Sequence, residues 1–281
     1  MVRKAAISSF QETVQQHYAL YGRHDLPWRL PEHGGTFDPY KILVSEIMLQ
    51  QTQVSRVIPK YQEFLKRFPD VETLARAPLG DVLRVWNGLG YNRRAKFLWQ
   101  AARTVQHEFG GVFPEQTSEL THLPGVGKNT AGAVAAYAFD KPAVFIETNI
   151  RTAFIYHFFL DRTAVSDSEI LALVGAALPA EGDGQYREWY WALMDYGSFL
   201  KQSAKNLNKL SKSYNKQSPF EGSRRQVRGK VIRLLSKKPH SKAALGREIA
   251  DERLESVLSD LVNEGLIVKA GGMYDLHSRE A

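Results

Sequence analysis

The chain has 281 residues, enough to bury a sizeable core in one large or two smaller domains. Lys and Arg number 37 against 30 Asp and Glu, a net charge of +7. Because it contains no cysteine, disulfides, thiolate zinc sites, cysteine nucleophiles and cysteine-ligated iron–sulfur clusters are excluded. The histidines show no metal-ligand spacing, so no metal is expected.

No run reaches membrane-spanning length, and the N-terminal region has no long apolar stretch, so a soluble, intracellular protein is expected. Helical periodicity first becomes clear at Tyr40–Pro59, where Ile42, Leu43, Ile47, Val54, Val57 and Ile58 recur at helical spacing and predict one helix. Further helices are expected over Ile58–Phe68, Val71–Ala77, Leu79–Gly88, Arg93–Glu108, Ser118–Leu123, Lys128–Phe139, Asn149–Leu160, Asp167–Leu178 and Gln185–Phe199. Strand patterns are nearly absent before residue 265, so the core, residues 1–202, reads as all-α with short loops.

Residues 203–221 are polar and read as a basic linker. From Lys201 to His240 there are twelve basic residues and one acidic residue, Glu221. Such a stretch is an electrostatic footprint for a polyanion, or else a solvated tail. Three helices follow, Arg224–Leu235, Lys242–Ala250 (capped by Ser241) and Glu252–Asn263. A hairpin, Leu266–Ala270 and Met273–Leu276, turns at Gly271-Gly272. Residues 222–281 thus read as a small α+β winged-helix module.

The segment Leu123-Pro-Gly-Val-Gly-Lys-Asn-Thr-Ala-Gly132 makes a tight turn between two helices. Its glycines, Gly125 and Gly127, tolerate φ > 0 and leave room for a phosphate. The amides of Val126, Gly127 and Lys128 form an anion nest at a helix N-terminus. The spacing fits neither a nucleotide P-loop nor the dinucleotide fingerprint. A helix–turn–helix packing corner is the alternative.

Two carboxylates draw attention. Glu46 lies beside the apolar residues Ile42, Leu43 and Leu49, where desolvation raises a carboxyl pKa and fits it to act as an acid. Glu147 follows the apolar run Ala143-Val-Phe-Ile and precedes a helix capped by Thr148 or Asn149. At a helix N-terminus it is expected to stay ionised. An acid paired with an ionised stabiliser is the arrangement that supports a developing cation; a salt-bridged Glu46 and a plain helix-start Glu147 are the alternatives.

Taken together, Leu26-Pro-Trp-Arg29, Ser45-Glu-Ile-Met-Leu-Gln-Gln-Thr-Gln-Val54, Trp86-Asn-Gly-Leu-Gly-Tyr91, Leu123-Pro-Gly-Val-Gly127 with Thr130-Ala-Gly132, and Glu147-Thr-Asn149 match a family in order. Over about residues 10–200 the chain resembles the helix-hairpin-helix (HhH-GPD) DNA glycosylases, most closely the adenine DNA glycosylases. The resemblance implies a two-lobed helical core that extrudes a nucleotide into its cleft and cuts the base–sugar bond. By that resemblance, Glu46 protonates the adenine and Glu147 stabilises the sugar cation, facing Glu46 across the nucleotide. Asn129 and Asn149 adjoin the sugar, and Trp28 and Arg29 wall the base pocket. Gln51 and Tyr91 wedge into the duplex. Gly125, Val126, Gly127, Lys128 and Thr130 grip a phosphate, and a monovalent cation bridging hairpin carbonyls is compatible with this.

This sequence departs from the family pattern in four ways. The family carboxylate is ordinarily Asp, and Glu147 is one methylene longer. Asn129 stands where bifunctional relatives carry a Schiff-base lysine, so no strand cleavage is expected. Met194-Asp-Tyr-Gly197 matches the run into the family's iron–sulfur loop, but Lys201–Gln217 is lysine-rich and no 4Fe-4S cluster is expected. The winged-helix candidate takes the place of the family's 8-oxoguanine-reading domain. The expectation is a monomeric, nucleoid-associated cytoplasmic glycosylase of base-excision repair. It would act on double-stranded DNA bearing a mispair or lesion, excising adenine opposite guanine or 8-oxoguanine. A thymine or uracil mismatch glycosylase, and a non-catalytic DNA-binding protein on the same scaffold, are the alternatives.

Overall fold

Helix α1 (Val2–Tyr21) opens the chain in a segment for which no element is expected above. Phe10 and Val14 are its buried anchors. A 3₁₀ turn at Pro27–Arg29 leads to α2 (Pro39–Leu49), α3 (Val54–Arg67), α4 (Val71–Arg76), α5 (Leu79–Trp86) and α6 (Arg93–Glu108). Next come α7 (Thr117–Leu120), α8 (Lys128–Phe139), α9 (Thr148–Phe158), α10 (Asp167–Ala176) and α11 (Tyr186–Ser203). A second 3₁₀ turn, Leu207–Leu210, precedes α12 (Arg224–Leu235). The chain closes with β1 (His240–Ser241), α13 (Lys242–Ile249), α14 (Leu254–Asn263), β2 (Ile267–Ala270) and β3 (Met273–Leu276). The structure, a computed structural model, describes residues 2–180, 185–203 and 206–276; Lys205 of the basic run and His277 lie outside them.

The chain divides into two units. The first comprises residues 1–42, 114–122 and 126–216. Its centre is the crossing of α9 and α11, where a Cβ on Gly197 would stand 2.0 Å from the Asn149 carbonyl oxygen. Only glycine lets the helices approach this closely. Phe10 joins the core through Phe154, ring centroids 4.8 Å apart. Helix α10 starts with a capping box between Ser166 and Glu169.

The Leu207–Leu210 turn is tied down rather than loose. Asn208 is buried and donates to Thr152 Oγ1 (2.9 Å). The Val165 amide bonds Leu210 O (2.8 Å), the Lys212 amide bonds Val165 O (2.9 Å), and Ser213 Oγ donates to Asp167 (3.0 Å).

The second unit comprises residues 43–113, 123–125 and 217–281. Here α3 buries Val57, Tyr61 and Phe64 on one face, and Phe64 meets Phe68 and the fully buried Trp86. Burial of each such side chain contributes about 1.5–3 kcal/mol. Helices α12, α13 and α14 close on Val231, Leu245, Val257 and Leu261 beneath an antiparallel sheet of order β1-β3-β2. His240 pairs with Tyr274, and Ile267 with Leu276. The expected winged-helix elements are present, with β1 added to the hairpin. Ser241 caps α13 by accepting from the Ala244 amide (3.2 Å). Lys96 of α6 donates to the Glu264 carbonyl at the end of α14 (2.5 Å).

The single helix expected over Tyr40–Pro59 is two helices, α2 and α3. Gln51 takes φ 55 between them, and the last carbonyls of α2 bond to a side chain instead of continuing the helix.

Candidate active site

Glu147 stands at the end of a buried run. Phe145 and Ile146 are almost fully buried, and the Tyr190 hydroxyl donates to the Ala143 carbonyl. The Ile146 amide donates to Asn129 Oδ1 (3.3 Å), so Asn129 ties the start of α8 to the residue before Glu147. Glu147 occupies the N-cap position of α9 without a side-chain hydrogen bond to the helix. The cap expected from Thr148 or Asn149 does not form, because both already lie within the first turn.

Glu147 is half-buried. Burial pushes its carboxyl pKa upward, and the positive charge of Arg151 opposes that only in part. Arg151 is bound instead to Asp167 (2.9 and 3.0 Å). This corrects the expectation of a carboxylate held ionised by its helix: the uncapped geometry forgoes the amide bonds that would hold it, and desolvation wins. Asn149 Oδ1 accepts from Lys201 Nζ (3.3 Å), and burial lowers the Lys201 pKa.

Trp28 and Arg29 are both buried in the 3₁₀ turn. The Arg29 guanidinium is committed to Asp195 through two bonds, of 2.8 and 3.0 Å. Arg23 adds its backbone amide and side chain to the same carboxylate. Burial works to raise the Asp195 pKa, but the bonds and charges of Arg29 and Arg23 outweigh it and hold Asp195 below the ordinary range. Asp195 orients Arg29, yet Met194-Asp-Tyr-Gly197 carries no sequence signal for that role.

In the glycine turn the two glycines differ. Gly125 has φ +77 and lies against Phe97, as a tight turn requires. Gly127 is extended (φ −83, ψ 174) and serves as the N-cap of α8, so left-handed backbone is needed only at Gly125. A Cβ on Gly127 would meet nothing within 4 Å. The first turn of α8 has no side-chain cap and no acidic residue. Gly127, Lys128 and Asn129 are exposed, Thr130 is half-buried and Val126 is buried. Uncapped amides at an open helix N-terminus are receptive to an anion.

In the second unit Glu46 is half-buried on α2, between the buried Val44, Ser45, Ile47 and Met48. Gln51 and Tyr91 are exposed, and both hold left-handed backbone, φ 55 and 48. Non-glycine residues in that conformation cost about 1–3 kcal/mol and cluster at functional sites.

Arg94 imposes this geometry. Its buried guanidinium donates to the carbonyls of Ile47 (2.6 Å), Met48 (3.0 Å) and Gln50 (2.7 Å), and to Thr52 Oγ1 (3.1 Å). It also reaches Leu89 O (3.4 Å) and Gly90 O (3.3 Å). One side chain thus staples the α2–α3 loop to the Gly88–Tyr91 loop. Desolvation pushes its pKa down to about 10, which leaves it charged at neutral pH. Sequence reasoning missed Arg94; its one available signal was its position three residues after Tyr91.

Residues 44–175 match the family described as HhH-GPD superfamily base excision DNA repair protein. The adenine DNA glycosylase of Buchnera aphidicola subsp. Baizongia pistaciae is 40% identical over 152 residues, covering 54% of this chain and 42% of that protein. Residues 44–175 thus carry an HhH-GPD superfamily domain. The adenine DNA glycosylase of Mycolicibacterium smegmatis is 38% identical over 161 residues, 57% of this chain and 54% of the relative. A solved structure of a thermostable thymine-DNA glycosylase aligns with TM-score 0.59 and 28% identity over 69% of this chain and 87% of that one. The chain spans about half the length of the curated relatives it matches.

The iron–sulfur cluster that the family resemblance brings to mind does not fit these residues. The chain has no thiolate to ligate it, and Asn208, Leu210, Lys212 and Ser213 close onto α9, α10 and Val165 through hydrogen bonds instead. Among the described residues, no group of three or more His, Cys, Asp or Glu could hold a metal ion, and no helix is long and apolar enough to cross a membrane.

Proposed function

We propose that this HhH-GPD chain is a monofunctional DNA glycosylase that excises adenine opposite guanine or 8-oxoguanine in base-excision repair. The observation that carries this reading is Glu147: a desolvated carboxylate with no cap bond, on a run anchored by Asn129 and Tyr190. A desolvated carboxylate without a cap bond gains most when a cation develops beside it. The adenine-specific names of relatives near 40% identity support the choice of base.

In this reading Glu46 donates the proton to the departing base and Glu147, ionised, stabilises the sugar cation. Asn129 and Asn149 position the Glu147 segment, Trp28 and Arg29 wall the base pocket, and Gln51 and Tyr91 hold the duplex open. The hairpin residues Gly125, Val126, Gly127, Lys128 and Thr130 grip a backbone phosphate, with a monovalent cation compatible there. Catalysis belongs to residues 1–202, with 203–221 as a connecting segment and 222–281 as an attached module. With asparagine at 129, no amine attacks the sugar, so base release proceeds without strand cleavage.

The test is release of free base from duplexes carrying each mispair, with borohydride present in a parallel reaction. Adenine release without a trapped protein–DNA adduct is expected. Thymine or uracil release, or a trapped adduct, would replace this reading. The thymine-DNA glycosylase likeness makes the first of those outcomes the second reading.

A further inference from the structure

The second unit contains a groove of about 1440 Å³, lined by both the Gln50–Gln53 and Asn87–Arg94 loops and by α12. That is larger than the 300–1,000 Å³ of a small-molecule site. Its lining is strongly cationic. Arg56, Arg93 and Arg233 line it and are exposed, with no ion pair among the described residues. Glu264, its one acidic lining residue, is bound by Arg228. Two aromatic rings, Tyr91 at 37% and Phe220 at 58% exposure, open into it. Cationic walls interleaved with exposed rings suit a nucleic-acid strand with unstacked bases.

Two residues of the C-terminal segment reach the strained pair. Gln217 Nε2 donates to Gln51 Oε1 (2.8 Å) and to the Tyr91 hydroxyl. Arg225 Nη1 donates to the Tyr91 hydroxyl (2.7 Å), and its guanidinium lies over the Tyr91 ring, 5.9 Å from the centroid. On the reading above, Gln51 and Tyr91 occupy the stack beside the extruded nucleotide, so the groups touching them stand next to the base left without a partner.

We propose that Gln217 and Arg225 are specificity-determining residues that read this orphan base, with the groove holding its strand. This rests on the reading of Gln51 and Tyr91 as wedges. The chemistry selects the base. Arginine's forked N–H donors match the O6 and N7 acceptors of guanine. The glutamine amide offers both a donor and an acceptor, so it also suits an 8-oxoguanine edge, which donates at N7. On the same major-groove edge cytosine presents only a donor and thymine a single acceptor beside its methyl group, so neither matches the fork there.

The experiment measures affinity of the full chain for duplexes holding a non-hydrolysable abasic analogue opposite guanine, 8-oxoguanine, cytosine or thymine. The wild type should favour the two purines by roughly ten-fold or more. Arg225→Ala and Gln217→Ala should each remove most of that ratio. Arg225→Lys, which keeps the charge without the fork, should lose the ratio while keeping affinity for the pyrimidine duplexes. Arg233→Ala should weaken all four duplexes alike.

No purine preference in the wild type would overturn the proposal. So would a ratio that survives both alanine variants, or equal losses on every duplex. Base release is scored separately with natural mispairs: an inert protein with a purine preference would refute the glycosylase reading and leave this one standing.

Discussion

At the residue scale, Glu147 decides the pH behaviour. Its folded-state pKa lies above that of an unfolded glutamate, so the folded chain binds the extra proton. Stability contributed by this group is therefore present below the unfolded pKa and falls as pH rises through the folded one. Catalysis has the opposite sign, because the sugar cation needs the ionised form. The acid limb of the pH–rate profile should lie above the ordinary glutamate range. Glu147→Gln should lower single-turnover base release by at least about 10²-fold while raising the thermal midpoint at neutral pH, and Glu147→Asp should retain activity or increase it. Wild-type base release by the glutamine variant would remove Glu147 from the mechanism. Gly127 supplies a second prediction at this scale. Its Cβ direction is open, so Gly127→Leu should fold with an unchanged midpoint. It should nevertheless lose DNA affinity for every sequence alike, because phosphate contacts carry no base information. Sequence-selective loss would argue against a phosphate grip.

At the element scale, the decisive structure is a pair of loops held by one guanidinium. Helix α2 stops where Arg94 captures the carbonyls of Ile47, Met48 and Gln50, and the same group reaches Leu89 and Gly90. Hydrogen bonds to a charged group contribute about 1.5–3 kcal/mol each, and stranded buried acceptors add to the cost of losing them. Arg94→Met should therefore destabilise the protein by about 3 kcal/mol or more in denaturant unfolding. Arg94→Lys should recover only part of that, because an ammonium cannot fork across both loops. Both variants should lose base release by more than their fraction unfolded, since Gln51 and Tyr91 are released from left-handed backbone. Loss of activity that only tracks unfolding would reduce Arg94 to a stability residue.

At the scale of the whole molecule, the Leu207–Ser213 segment holds itself to α9 and α10 by hydrogen bonds, with Asn208 buried at its centre. Purified protein should be colourless, and its unfolding midpoint should be unchanged by a strong iron chelator. A visible absorption band, or collapse on chelation, would contradict that account. Asn208→Leu should lower the midpoint, because the Thr152 hydroxyl loses its donor inside the unit. DNA affinity should fall steeply with salt, given the exposed cations of the C-terminal module.

Much of this protein can be read from local chemistry alone. The helical segments of the core, the Ser241 cap, the Gly271-Gly272 hairpin turn and the quoted family blocks all rest on neighbours within a few residues, which is why they are visible in the chain. The family resemblance follows from those blocks, and the exclusion of a thiolate-ligated cluster follows from the absence of cysteine. Other features depend on partners far away in sequence. Helix α1 is one of these: its buried Phe10 finds its ring partners at Phe154, Phe158 and Trp189. The break between α2 and α3 depends on Arg94, more than forty residues downstream of the carbonyls it binds. Arg29 is committed by Asp195, and the contacts of Gln217 and Arg225 with Gln51 and Tyr91 join the two ends of the second unit. The upward direction of the Glu147 pKa is hidden in the sequence for the same reason. Sequence shows a carboxylate at a helix start, but whether it reaches the amides or is stripped of water is set by burial, and burial is a property of the folded chain.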